Sequence, residues 1–558
     1  MQELERANSS ICLRAVGRFT TWISARPGRL KFFASFVLFG VLLAPSIWML
    51  SVIPPLWRDV DAYVQVTQPP GLGTILQWGP LYCFAARIPL YCGYAIDCVR
   101  AGAPFPTPAF FIHPIQTDSG VFVLLLSQHL ALCSAAFYLI AMASRLFWVR
   151  LILAVAWAAN PLFYTFAHCV GSETLGLILL LVVGATGLKI MRHRRNVPGK
   201  EWLLLGILMW LSILTRHINA TLAGLLPLTF FLLSAYRLIM IPFARSQLLR
   251  RWQRLRARRA LQKASLAVAV GISCIVLANV TLRELCRVVQ IPYHSTIGFT
   301  FLFRLKFLAG LPVEKRNQLL DKVAKNTDSA DVKKLISLLR DAFPDQTPNW
   351  DVMVFKKKAE ESLFPRQTDP REEKFYPVLN RTAQTFLYPP EKPFLSAVVI
   401  DFKRSQEVTI PSVVRQLFAS TTRYFSHPEL MPDHAALRTF RDKNSAQIMA
   451  IFKKHSYFHQ PKNFSYSAFL FFWCVNLALL AVLAMTRKEE AATVTSYAAA
   501  LTLVGLFMML ANCVLNVFQP RYTLPMWELT FISASILSAK TIEYVVARGQ
   551  QPREVVLR

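Results

Sequence analysis

Residues 30–53 read LKFFASFVLFGVLLAPSIWMLSVI, and residues 54–63 continue PPLWRDVDAY. The first stretch holds a single charge, Lys31, ahead of an uninterrupted apolar run. Roughly 20 such residues are what a helix needs to cross the hydrocarbon core of a bilayer. The run is too long for a signal-peptide core and has no small-residue cleavage site before polar sequence, so it is expected to be retained. Nine further runs of the same kind follow, at 121–143, 149–168, 174–191, 202–216, 219–241, 264–282, 466–485, 491–515 and 523–546. Spans five and six are separated only by Thr215-Arg216-His217, which reads as a tight helical hairpin or a bent, shortened pair. The expected fold class is an all-α polytopic membrane protein of about ten transmembrane helices.

The composition agrees with that class. Across 558 residues, 62 Lys+Arg stand against 32 Asp+Glu, a net charge of +30, while 54% of the chain is apolar. Mean hydropathy is +0.37, too high for a string of soluble domains. With 40 Phe the chain is also too aromatic to be disordered. A charge of +30 would fit a nucleic-acid-binding protein unless it flanks the apolar runs, where it sets membrane orientation instead. It does flank them. Arg14, Arg18, Arg26, Arg29 and Lys31 precede span one; Arg145 and Arg150 lie between spans two and three; Lys189, Arg192, Arg194, Arg195 and Lys200 follow span four. RSQLLRRWQRLRARRALQK at 245–263 sits between spans six and seven, Arg487 and Lys488 follow span eight, and Arg548, Arg553 and Arg558 close the chain. With ten alternating spans every one of these segments falls on one side, the cytoplasm by the positive-inside rule. The basic 245–263 stretch then reads as an orientation and lipid-surface element, and no nucleic-acid partner is expected.

The resulting layout is a basic cytoplasmic N-terminus at 1–29, a membrane module at 30–282 with about seven helices and an outer loop at 54–120, an extracytoplasmic mostly helical domain at 283–465, three helices at 466–546 and a cytoplasmic tail at 547–558. The expected location is the inner (plasma) membrane of a bacterium, with both termini cytoplasmic. In the outer domain, 313–343 has helical apolar spacing with Asp328 or Ser329 as a helix start, and 412–424 and 434–454 read similarly. Cys83, Cys92 and Cys98 share the first outer loop and could form one disulfide in an oxidising compartment. Asn279, Asn380 and Asn463 lie in N-x-S/T triplets on the outer side. No G-x-x-x-x-G-K-S/T, G-x-G-x-x-G, H-E-x-x-H or G-x-S-x-G occurs, so nucleotide, nicotinamide and zincin chemistry lack their motifs. Transporters tend to show repeated halves with broken helices, and no such repeat is visible.

The outer face carries the chemistry-bearing residues. Asp59 and Asp61 follow Pro54-Pro55 at the end of span one, with Tyr63 two positions on. Two carboxylates beside an apolar surface suit a general base whose pKa is raised by partial burial, or the ligands of a divalent metal ion. The plainer reading is a helix start, each Asp accepting backbone N–H bonds. Arg216 with His217, and Arg521 with Tyr522, fall at the same face; such arginines are either snorkelling anchors or forks for a lipid phosphate. Ser172-Glu173 opens span four, as a helix cap and dipole partner or as a contact to sugar or metal.

An Asp-bearing loop straight after span one, Trp78-Gly79-Pro80-Leu81-Tyr82, a Ser-Glu turn between spans three and four, and Gln519-Pro520-Arg521-Tyr522 ahead of Leu-Pro together resemble the GT-C superfamily. These are integral-membrane glycosyltransferases using polyprenyl-phosphate sugars, among them protein O-mannosyltransferases, aminoarabinose transferases and oligosaccharyltransferases. The resemblance covers spans one to six and the last few; the 283–465 segment matches none of their soluble domains. It implies an inverting transfer at the outer face to a glycan, lipid or protein acceptor. The base would be Asp61 or Asp59, with donor phosphate on Arg521 and Arg216. Rival readings are an O-antigen-ligase or polymerase-like enzyme and a transporter or flippase of lipid-linked sugars.

Overall fold

The computed structural model describes residues 29–53, 55–57, 66, 79–193, 197–242, 246–343, 351–365, 371–409, 412–414, 416–417, 467–485, 489–516 and 519–549. Asp59, Asp61 and Tyr63, along with Asn463, the 434–454 stretch and both chain ends, lie outside them.

Among the described residues the protein is all-α, apart from one two-residue parallel strand pair. Helix α1 (Arg29–Val52) is followed by β1 (Leu56–Trp57), α2 (Pro80–Ala101) and α3 (Asp118–Ala143). Next come α4 (Phe147–Ala158), α5 (Pro161–Ala167), β2 (Cys169–Val170), α6 (Ser172–Arg192) and α7 (Gly199–Thr215). A 3-10 turn, His217–Gly224, leads into α8 (Leu225–Ile239) and the 42-residue α9 (Gln247–Val288). The segment after α9 contributes α10 (Ile297–Arg304), α11 (Val313–Lys325), α12 (Ala330–Asp341), α13 (Val352–Leu363), α14 (Arg371–Leu387) and α15 (Lys392–Glu407). Then α16 (Ser467–Met485), α17 (Glu489–Leu515), a 3-10 turn at Pro520–Thr523 and α18 (Leu524–Gly549) complete the described chain.

Seven helices among the described residues are long and apolar enough to cross a membrane, and up to eight if a bent pair counts as one. The protein is therefore read as a multi-pass membrane protein. That pair is α4 and α5, which break by 64° where the sequence suggests one span at 149–168. Asn160-Pro161 explains the break: Pro161 has no N–H to continue the ladder, and the Asn160 side chain caps the new helix by accepting from the Leu162 N–H at 3.0 Å. The runs at 202–216 and 466–485 are helical but do not reach spanning length and hydropathy in the described residues. The 264–282 run is not a separate helix either. It continues the basic 245–263 stretch without a break as α9, about 63 Å long at 1.5 Å per residue. A capping Ser246, accepting from the Leu249 N–H, starts it.

Among the described residues, the basic side chains of Lys189, Arg192, Arg237, Arg256 and Lys540 gather at one end of the bundle. Ser144 Oγ donates to Glu543 Oε1 at 2.5 Å, Arg192 Nη2 donates to the Ala143 carbonyl at 2.8 Å, and Lys540 pairs with Glu490 at 3.0 Å. Glu489 there takes both Arg237 and Arg256, and Lys189 pairs with Glu201 at 2.8 Å. Four acids set into helix ends thus cancel part of the dense positive charge.

Packing inside the bundle is tight and polar at chosen points, as expected where lipid offers no hydrophobic drive between helices. Trp157 of α4 stacks on Phe163 of α5 (4.8 Å between centroids), meets Phe531 of α18 edge-on (4.7 Å) and donates its N–H to Ser535. Gly184 of α6 faces Ile532 of α18, and Tyr497 of α17 donates to the Gly184 carbonyl at 2.7 Å.

Within the expected outer loop 54–120, Pro80–Ala101 form a 22-residue helix. α2 packs against α3, with Gly93 so close to Gly120 that a Cβ on Gly93 would collide with the Gly120 backbone. Cys83, Cys92 and Cys98 are free thiols on this one helix. Their spacings of nine and six residues put them about 13 and 9 Å apart along the axis, beyond disulfide reach. In the segment after α9 Ser329 does start a helix, accepting from the Val332 N–H. α10 packs on α14, where Asn380 bridges the Gly298 N–H and the Ser295 carbonyl, each at 2.8 Å. Arg304 is buried and pairs with Asp401, closing α10 onto α15. α10 and α15 in turn pack on α17, the span that leads up to the Pro520 turn.

Candidate active site

Three strands of evidence from local chemistry converge on the end of the bundle opposite the basic loops. The first is a chain of buried imidazoles. His168 Nε2 lies 2.8 Å from the Ile53 carbonyl, which can only accept, so that nitrogen carries the proton. His168 Nδ1 must then accept from His129 Nε2 at 3.1 Å, and His129 Nδ1 accepts from the Ser46 hydroxyl at 2.9 Å. The relay ties α1, α3 and the end of α5 together. Its outcome is the parallel pairing of Leu56 with Cys169 and Trp57 with Val170, supported by the Leu56 N–H on the His168 carbonyl at 3.1 Å.

The second is a cradle around the turn that precedes α6. Gln128 donates to the Ala167 and Cys169 carbonyls at 3.0 and 3.1 Å. Tyr82 donates to Gln128 Oε1 at 3.1 Å and accepts from the Gly171 N–H at 2.9 Å. All five residues are buried, so these bonds fix the backbone ahead of Ser172-Glu173. Val66 is buried beside Tyr82 and Val170, which brings the far side of the Asp-bearing loop to the same place.

The third is Arg216. Gly79 has φ +91°, and a Cβ there would press into the Leu214 and Thr215 carbonyls at 2.5 Å. Only glycine lets the chain at the start of α2 lie against the end of α7, directly before Arg216. The Arg216 side chain runs across Gly176 of α6 and places Nη1 3.7 Å from Glu173 Oε1. Glu173 is 2% exposed and Arg216 19%, so the carboxylate is buried while the arginine side chain stays partly accessible. Ser172 is the first helical residue and does not cap; the cap position is Gly171. Glu173 in the first turn also benefits from the helix dipole, which agrees with the plainer reading of that residue, but the dipole alone does not explain the Arg216 partner.

Arg521 and Tyr522 occupy the 3-10 turn that starts α18, with the Arg521 guanidinium 5.5 Å from the Tyr522 ring and Asn516 donating to the Tyr522 hydroxyl at 3.1 Å. α6 and α18 pack side by side and run the same way, since Arg192 and Glu543 meet at Ala143-Ser144 at the other end. Their contact at Gly184 and Ile532 lies 184 − 173 = 11 residues past Glu173 and 532 − 521 = 11 past Arg521. Glu173 and Arg521 are therefore at about the same height in the bundle. His217, half-buried, opens the 3-10 turn that packs on α17. Helix α15 packs near this end, with Gln406 Nε2 3.7 Å from Met526 Sδ about one turn past Arg521.

The structure thus groups Ser172, Glu173, Arg216, His217, Arg521 and Tyr522 at one end of the bundle, beside the strand that enters the Asp59–Asp61 loop. Among the described residues no group of three His, Cys, Asp or Glu side chains is set to hold a metal. Outside the spans, burial pushes the Cys83 thiol up and the Arg87 guanidinium down from their ordinary values. Three features were not anticipated from sequence: the His129–His168 relay, the Tyr82–Gln128 cradle, and Glu528, a fully buried carboxyl in α18 whose oxygens have no hydrogen-bond partner among the described residues. Each is a polar residue inside an apolar run, which is itself the readable signal. Compared with models of known protein families and with curated proteins, the sequence matches none.

Proposed function

We propose that the protein is a GT-C-type membrane glycosyltransferase that moves a sugar from a polyprenyl-phosphate donor to an acceptor hydroxyl at the outer face. The observation that carries the reading is the β1–β2 pairing, which sets the entrance to the Asp59–Asp61 loop beside Glu173 and its 3.7 Å partner Arg216. A general base, a partly exposed cation and a second arginine at the same height are the parts that such a transfer needs.

In this reading the basic loops are cytoplasmic, ten segments traverse the membrane with two of them short, and 283–465 lies outside the cell. The polyprenyl tail rests on the spans and its phosphate meets Arg216 and Arg521, whose planar forks match phosphate oxygens. Glu173 orients Arg216 by charge and holds its position. Asp61 or Asp59 takes the acceptor hydroxyl proton as the oxygen attacks the anomeric carbon from the face opposite the phosphate. The carbon–oxygen bond to phosphate breaks, the configuration inverts, and polyprenyl phosphate leaves with its new negative charge on the arginines. His217, Tyr522, Tyr63 and Ser172 line the donor and sugar positions. A divalent cation would be held by Asp59 and Asp61, whose carboxylates are the hard oxygen ligands it prefers.

The single variants Asp59→Asn and Asp61→Asn, expressed normally, test this in a membrane transfer assay. Loss of transfer in at least one is expected, and full activity in both rules out the catalytic assignment. A second reading, a transporter of lipid-linked sugars, is favoured by the 64° break between α4 and α5 and by buried Glu528, since transporters use broken helices and charges within the bundle. Labelled lipid that crosses vesicles chemically unchanged would select it.

A further inference from the structure

The end of the bundle that carries the basic loops holds a cavity of about 520 Å³ between α8 and the first half of α9. Its wall combines Arg251, Arg254 and Arg258 with Leu238, Leu255 and Leu261. The arginines recur at intervals of three and four, so they share one helix face. We propose that this groove is a binding site for an anionic phospholipid of the adjoining leaflet, independent of the glycosyltransferase reading.

Charge is the first argument. On the neighbouring face Arg256, together with Arg237, is neutralised by Glu489. Arg251, Arg254 and Arg258 have no acidic partner among the described residues, so three unbalanced guanidiniums converge on one concavity. Depth is the second. Ser234 bonds the Ala257 carbonyl at 3.2 Å and Ala223 packs on Gly271, which fixes the antiparallel register of α8 and α9. That register sets Arg254 and Arg258 beside the last two turns of apolar α8, the level where a spanning helix meets head groups. The third is the apolar share of the wall. Leu238, Leu255 and Leu261 are 48%, 53% and 44% exposed, a surface for an acyl chain that neither a free phosphate nor a nucleic acid would use. Three forks for a phosphodiester above a leucine-lined flank match a phospholipid with net negative charge.

The test uses full-length purified protein and native mass spectrometry with phosphatidylglycerol or phosphatidylcholine. The wild type should retain phosphatidylglycerol preferentially. R251Q/R254Q/R258Q should weaken that retention on the order of 100-fold, from a contribution of roughly fivefold per basic residue at an anionic surface. R251K/R254K/R258K should keep most of it, and the equal-charge control K357Q/K358Q/K403Q on the outer domain should keep all of it. Equal retention of the two lipids by the wild type, or an equal loss in the control, overturns the proposal. Hydrogen exchange on the wild type alone gives a second readout: 251–261 should be slower in phosphatidylglycerol nanodiscs than in phosphatidylcholine ones, and identical exchange also overturns it.

Discussion

Replacing Tyr82 by Phe removes one oxygen and leaves the ring. That oxygen both donates to Gln128 Oε1 (3.1 Å) and accepts from the Gly171 N–H (2.9 Å), and both partners are buried. Phe leaves an amide oxygen and a backbone N–H without their partner, each at about 1–3 kcal/mol, and the cavity of one oxygen is too small to admit water to both. Allowing for partial relaxation, Tyr82→Phe should destabilise the protein by about 2–4 kcal/mol. Gln128→Met frees the same site but also strands the Ala167 and Cys169 carbonyls, so it should cost at least as much. Because the two side chains share a bond, the double variant should cost less than the sum, by about 1 kcal/mol or more. Tryptophan fluorescence during unfolding in mixed micelles measures all four corners of this cycle. A Tyr82→Phe cost below about 0.5 kcal/mol with zero coupling would refute the view that this cradle holds the turn before Glu173.

Other consequences follow from the same geometry. Gly298→Ala should loosen the 297–407 helices by about 3 kcal/mol or more, because the new Cβ collides with the Leu379–Asn380 backbone; limited proteolysis of 297–407 would report it. Asp401→Asn should cost about 3–5 kcal/mol by leaving Arg304 charged and buried without its counter-ion, read in the same unfolding assay. An impermeant maleimide should label exposed Cys92 from outside intact cells, whereas buried Cys83, its thiol pushed up by desolvation, should stay unlabelled until the pH is raised well above the usual thiol range. Labelling of Cys92 only in inside-out vesicles would reverse the proposed orientation. Arg216→Gln should reduce transfer more than Arg216→Lys, since lysine keeps the charge but lacks the fork.

The helix content and most span positions were legible from hydropathy alone, since a run such as 30–53 has one stable form in lipid. The ends of the apolar runs were less so. The 149–168 run hides a break because Asn160-Pro161 costs little hydropathy yet stops a helix, and α9 runs on past 264 because hydropathy cannot tell a basic helix from a loop. α2 does not stand out in hydropathy because Arg87, Pro89 and Gly93 interrupt its apolar residues; Arg87 and Gly93 take their roles from Phe111 and Gly120 far along the chain. For the site, Glu173, Arg216 and Arg521 stand out in the sequence because each sits where an apolar run begins or ends. The Glu173–Arg216 pair itself was not legible, because it rests on Gly79 and Gly176 leaving room for an arginine to cross α6. Nor was the relay through His129 and His168, which join only when α3 packs on α1.

The most direct measurement is the fate of a lipid-linked sugar in proteoliposomes holding only the purified protein, a panel of polyprenyl-phosphate sugars and a hydroxyl acceptor. The account predicts release of polyprenyl phosphate with one inverted sugar–acceptor bond formed per lipid consumed, abolished when Asp59 and Asp61 are both Asn. Lipid that stays intact while changing leaflets, or turnover unaffected by the double variant, would contradict it.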